Sequence, residues 1–178
     1  MLQEMLVLRT RNPPAQINGH RIYSVPPLGG NKQSGIVVHR DSAWTELGPP
    51  TIHRRSLGII LQHPEFGQVL FVCAHLYPGK EQQPFMQSIV ELDMIMSLVA
   101  YDDKVVVGID ANANLSGVDE SQSFVGPFTY THPHLPHGDA DDLHDRLHWK
   151  ATALFSFLSR HGLRAENSFH PCSHGYAT

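Results

Sequence analysis

The stretch Lys104-Val-Val-Val-Gly-Ile-Asp-Ala-Asn-Ala-Asn114 constrains this chain more than any other. A continuous β-branched apolar run bounded by turn formers predicts a strand. The lack of polar alternation predicts one covered on both faces, with Val105 to Val107 at its centre. Asp110 and Asn112 follow where the run gives way to its loop. Open α/β sheets place ligands and reacting groups at strand ends of this kind. A carboxylate and a carboxamide there can share the work of orienting an oxyanion, a water or a metal-bound phosphate. Read alone, Asp-Ala-Asn-Ala-Asn is equally turn chemistry, because Asp and Asn are the usual turn formers.

Strand-like segments fill the first half: Arg21 to Val25, Gly35 to His39, Leu57 to Leu61 and Val69 to His75. Pro64-Glu-Phe-Gly67 between the last two reads as a hairpin connection, so those strands are expected to pair antiparallel. A helix is expected next. Pro84 suits a first helical position, and Phe85, Ile89, Leu92, Met96 and Val99 recur at 4-3-4-3 spacing as one apolar stripe. The strand at Lys104 follows, and strand, helix, strand predicts a parallel crossover. After a long polar loop, Leu147, Ala151, Leu154 and Leu158, with Phe155 beside them, predict a second helix stopping at Gly162. Leu163 to Phe169 is read as the opening of another strand. With no internal repeat and no interdomain linker, residues 1–178 are expected to form a single α/β or α+β domain.

At 41% hydrophobic and 17% charged residues, the composition is that of a soluble globular domain. No apolar run approaches the ~20 residues that span a bilayer. The apolar start, Met1 to Arg9, is interrupted by Glu4 and lacks a basic front and a small-residue cleavage site, so no signal peptide and no membrane partner are expected. Two cysteines, Cys73 and Cys172, make no disulfide framework. An intracellular location, cytoplasmic or nuclear, is the expectation. The net charge of −4 disfavours a dedicated nucleic-acid clamp. It leaves room for a phosphodiester-cutting enzyme, because a divalent cation supplies the local positive charge.

Four stretches, in order, resemble the endonuclease/exonuclease/phosphatase superfamily, the DNase I-like fold. Leu2-Gln-Glu4 looks like the family's "LQE" strand end. Ser34-Gly-Ile-Val-Val-His-Arg40 resembles its "GGVAILV" strand. Val106-Val-Gly-Ile-Asp-Ala-Asn-Ala113 resembles "IIGGDFNA". Phe157-Leu-Ser-Arg-His-Gly-Leu163 with Asn167-Ser-Phe169 resembles "L…HGL…NTF". The resemblance implies a four-layer α/β sandwich with two mixed β-sheets. It also implies Mg²⁺-dependent phosphodiester hydrolysis, with Mn²⁺ as a substitute cation and nucleic acid as substrate, as in the endonuclease domains of non-LTR retroelements. No obligate protein partner is evident. Glu4 would hold the metal and Asp110 would help bind it or orient the attacking water. Asn112 would hold a phosphate oxygen, and His75 would stabilise charge on the phosphoryl group. Tyr77 competes with His75 for that last role.

The chain departs from the family at both ends. The asparagine strand that precedes "LQE" in the family and the Ser-Asp-His segment carrying its general base have no counterpart here, and His174 matches an earlier position than that base. The expectation is therefore a domain incomplete at both termini with impaired activity. The rival expectation is a catalytically inactive remnant of the fold. A third reading takes the histidine- and aspartate-rich segment Thr131 to His148 as a metal-binding module, with His144 and His148 four apart for zinc or nickel. The prolines at 133 and 136 argue instead for a solvated loop. Arg54 and Arg55 can touch a phosphate backbone, or simply end a strand at the surface.

Overall fold

The computed structural model describes residues 15–25, 34–100, 103–113 and 137–165, and among these it describes the backbone alone for 15–17 and 137–148. They divide into two compact units. One holds residues up to 78 together with 87–111, and the other holds 79–86 and the residues from 112 onward.

The first unit contains two sheets, as expected. Strands β1 (Ala15–Ile17), β2 (His20–Ser24) and β3 (Gly35–Val38) form one, in that order and antiparallel throughout. Mixed pairing is confined to the second sheet. There the short strands β4 (Thr45–Glu46) and β5 (Thr51–Ile52) pair with β6 (Ser56–His63), which pairs antiparallel with β7 (Gly67–His75). Pro64 to Phe66 make the hairpin connection, as the sequence predicts. Strand β8 (Lys104–Asp110) then adds parallel to β7. A parallel neighbour needs a crossover, and helix α1 (Gln82–Met96) supplies it.

Alternation along β6 and β7 explains how the sheet is covered on both faces. Leu57, Ile59, Leu61 and Cys73 point to one side and pack with Tyr23, Val25, Ile36 and Val38 of the three-stranded sheet. This is the sheet-on-sheet core of the unit, and each such side chain contributes about 1.5–3 kcal/mol when fully buried. Burial also pushes the Cys73 thiol above its usual range, partly offset by hydrogen bonds at Gly35 and Ser34. At the rim of the core, the Tyr23 hydroxyl donates to the Glu46 carboxylate, and Arg21 donates to the same group at 3.2 Å. Burial, reinforced by that carboxylate, holds the Tyr23 hydroxyl firmly protonated.

On the other face, Gly58 is where α1 comes closest: a Cβ there would collide with Cγ2 of Ile95. The expected stripe lines the helix through Phe85, Ile89, Leu92 and Met96, all buried, but the helix ends at Met96, so Val99 lies beyond it and is only half-buried. The helix begins at Gln82, so Pro84 is its third residue, not its first. The shift carries no cost, because the amides of a first helical turn have no partner within the helix.

Strand β8 departs from expectation. Its valines are not covered on both faces: Val106 is 47% exposed, and Val105 and Val107 are only half-buried. Among the described strands β8 ends the sheet, with β7 as its one neighbour. The β-branched run reports a preference for extended backbone, which an outermost strand satisfies as well as a central one.

In the second unit, helix α2 (His137–Arg160) starts ten residues before Leu147. Residues 137–148, expected as part of a solvated loop, are thus helical in backbone, and 131–136 lie outside the described residues. Ala151, Leu154, Phe155 and Leu158 are buried as predicted. Gly162, at φ +59°, ends the helix in a Schellman motif. Its N–H reaches the Ser159 carbonyl at 3.3 Å, and Leu163 N–H reaches the Leu158 carbonyl at 2.9 Å. The strand expected from Leu163 shows a single bridge residue, Ala165, and 166–169 lie outside the described residues.

Substituting Gly58→Ala is expected to destabilise the fold by about 1–3 kcal/mol, because the β-branched Ile95 has little rotamer freedom to yield. Urea denaturation of Gly58→Ala and of Gly58→Ala/Ile95→Ala should show partial recovery in the double variant. Recovery to no degree would mean that the close helix approach is not what Gly58 provides.

Candidate active site

Two strand ends meet where β7 and β8 stop together. The parallel register pairs His75 with Asp110, the last residue of each strand. Register partners carry their side chains on the same face. His75 Nε2 lies 3.7 Å from Asp110 Oδ2, beyond hydrogen-bond length but within ion-pair reach. Leu76 N–H donates to the Asp110 carbonyl at 2.9 Å, and His75 N–H to the Arg55 carbonyl at 3.0 Å. The backbone therefore holds both side chains in place, while 33% and 48% of their surfaces remain exposed. A pair so open adds little to stability. Its significance is positional: an acceptor carboxylate and an imidazole stand side by side, facing solvent, at the carboxyl ends of parallel strands.

Tyr77 takes a different place. It follows the strand end by two residues, and the Arg55 guanidinium sits 5.1 Å above its ring centroid. Of the two candidates, His75 is the one in register with Asp110.

Helix α1 braces this end of the sheet. Glu91, only 7% exposed, accepts the Arg55 N–H at 3.0 Å through Oε2. Sequence reasoning passes over Glu91 as an ordinary helix residue. Its signal is its spacing, three residues after buried Ser88 and one before buried Leu92, which puts a carboxylate at the border of the apolar stripe.

Asn112 belongs to the second unit. Its backbone is left-handed, φ +45°, a conformation asparagine tolerates better than most residues. Its carbonyl accepts from Nζ of Lys150 at 3.3 Å. Lys150 is 1% exposed and lies over the rings of Phe85 and Trp149, at 5.0 and 5.9 Å. Burial lowers its pKa from the ordinary 10.5, against the pull of Glu81. Lys150 too was legible by spacing, three residues after Leu147 and four before Leu154, in the buried stripe of α2.

Glu4 lies outside the described residues. Among the described residues, no three His, Cys, Asp or Glu side chains gather into a cluster able to hold a metal ion. The hard carboxylate oxygens of Asp110, half-exposed, do fit a Mg²⁺ ion that keeps several waters and takes one or two protein carboxylates. No helix among the described residues is long and apolar enough to cross a membrane.

No protein-family model matches the chain, and no curated protein matches it. Among solved structures, it is similar to the endonuclease domain of TRAS1, a telomere-specific non-LTR retrotransposon, with a TM-score of 0.52 and 12% sequence identity. The match covers 82% of this chain and 54% of that one, so the chain spans about half the length of that solved domain. The two sheets and few helices described above are those of a DNase I-like endonuclease fold.

A lysine held below its ordinary pKa makes the folded state bind fewer protons than the unfolded chain as pH approaches 10.5. Stability should therefore rise with pH in the window below that value. Thermal melts between about pH 8 and pH 10 are expected to show the wild type gaining on Lys150→Met as pH rises. Parallel curves would show that Lys150 is not a buried charge.

Proposed function

We propose that this chain is a phosphodiester hydrolase of the endonuclease type, acting on nucleic acid with Mg²⁺, or with Mn²⁺ in its place. The observation that carries this reading is the His75–Asp110 pair at the joint end of β7 and β8, in a fold shared with a retrotransposon endonuclease domain.

Asp110, together with Glu4, would hold the cation. When bound, the cation would polarise the scissile phosphate and stabilise the leaving oxygen. The free lone pairs of Asp110 orient the attacking water toward phosphorus. His75 Nε2 faces the same space and donates a hydrogen bond to a non-bridging phosphoryl oxygen. Its charge-stabilising effect grows as negative charge develops there. The family resemblance would give the Asn112 carboxamide the role of holding a phosphate oxygen. The exposure of His75 and Asp110 suits a polymeric substrate that lies across the surface.

The test is nicking of supercoiled plasmid by the purified chain in Mg²⁺. His75→Ala, Asp110→Ala and Glu4→Ala are each expected to lower the rate by about 10²-fold or more, and Asn112→Ala by less. Chelation of the metal should stop the reaction in every case. Nicking that survives Asp110→Ala would place the activity elsewhere. A folded wild-type chain that nicks nothing would make this a non-catalytic domain of the same fold.

A further inference from the structure

The β6–β7 ladder ends at the pair of Ser56 with Ala74, and one further rung would join Arg55, the residue before β6, to His75. That rung is present as the hydrogen bond from His75 N–H to the Arg55 carbonyl, 3.0 Å. His75 in turn pairs with Asp110. Arg55, His75 and Asp110 therefore stand on three neighbouring chain segments at one end of the sheet, with His75 and Asp110 in register. Adjacent strands are about 4.8 Å apart, which sets the backbone of Arg55 about 10 Å from that of Asp110 with the imidazole between. The order across that end is cation, imidazole, carboxylate.

Two contacts hold Arg55 ready. Buried Glu91 fixes its backbone N–H at 3.0 Å, and the Tyr77 ring lies 5.1 Å beneath its guanidinium. Both are at this one end of the sheet. Glu91 takes a backbone hydrogen and does not engage the guanidinium donors. Among the described residues no carboxylate pairs with that guanidinium. An arginine laid on an aromatic face, with its backbone fixed and with no carboxylate on its guanidinium among the described residues, is prepared for a planar, bidentate partner such as a phosphate.

We infer that Arg55 is a phosphate-binding residue that seats the nucleic-acid backbone beside the His75–Asp110 pair, with Tyr77 as its positioning residue. The inference rests on the hydrolase reading for its substrate, and it assigns the residue that supplies binding, as distinct from those that do chemistry. It also accounts for how a chain of net charge −4 engages a polyanion: one oriented cation next to the reacting groups substitutes for a broad basic surface.

The test measures binding separately from cleavage. Fluorescence anisotropy of a short labelled single-stranded DNA, in chelator and over a series of salt concentrations, gives an affinity and a salt slope for each variant. Arg55→Ala is expected to weaken binding about tenfold and to reduce the log–log salt slope by about 1, as loss of one phosphate contact does. Arg55→Lys should restore the slope but only part of the affinity, since a point charge lacks the planar fork. Tyr77→Leu should weaken binding with the slope unchanged, because the charge remains while its platform goes. Arg40→Ala, an exposed arginine beside Asp41, should alter neither. Circular dichroism establishes that each variant is folded. An Arg55→Ala protein with wild-type affinity and slope overturns the inference, as does a wild type that binds no DNA at low salt. Arg55-dependent binding by a chain that never nicks plasmid keeps the phosphate site and removes the hydrolase reading. Plasmid nicking that is indifferent to Arg55 does the reverse.

Discussion

The parallel pairing of β7 with β8 is the constraint on which the rest of the first unit depends. It requires a crossover, and α1 is that crossover. The crossover must lie on the sheet, and Gly58 lets Ile95 come down onto it. The pairing also brings two chain segments 35 residues apart in sequence to a common end, at His75 and Asp110. Slipping the register by one residue would turn one of the two side chains to the opposite face and leave no pair. Just before β6, Arg55 joins this end through its carbonyl, which accepts the His75 N–H at 3.0 Å.

Stability and function draw on different parts of this arrangement. The two-sheet core from Tyr23 to Cys73 and the helix-facing side of β6 and β7 are apolar and closed. The groups at the strand ends are open to solvent and contribute little to folding. Glu91 is the link between the two. A carboxylate at the border of the helix stripe is costly to bury, and its hydrogen bond to the Arg55 backbone offsets part of that cost while pinning the end of the sheet where His75 and Asp110 stand. Lys150 plays a comparable part in the second unit, where its ammonium group meets the Asn112 carbonyl and two aromatic faces. In both cases a buried charge holds a backbone segment that precedes or follows a strand.

Much of this was legible residue by residue. The hairpin at Pro64 to Gly67, the stripe of α1, the stop at Gly162 and the β7–α1–β8 crossover all come from local rules of turn chemistry and periodicity. The failures have local causes as well. The Lys104 run has the pattern of a doubly covered strand, but β-branched residues report backbone preference and carry no count of neighbouring layers. The early start of α2 is not legible because aspartates and histidines carry no apolar period, although nothing in 137–148 forbids a helix. For Arg54 and Arg55 the sequence leaves both a phosphate contact and a plain strand end open, since adjacent arginines look the same whether or not an aromatic ring lies beneath one of them.

From the sequence alone came the longer strands and helices but not the short strands β1, β4 and β5, together with the strand that ends in Asp110, the nearby asparagine, and a resemblance strong enough to name a fold that the solved endonuclease domain shares. Those are properties of short segments, set by side-chain shape and spacing. The tertiary structure decided which residues stand together. It chose His75 over Tyr77 for the place beside Asp110, put Tyr77 under Arg55, and set Glu91 behind them both. No local rule contains that information, because register between strands is settled by packing between segments far apart in the chain, and the alternation of side chains then carries it to His75 and Asp110.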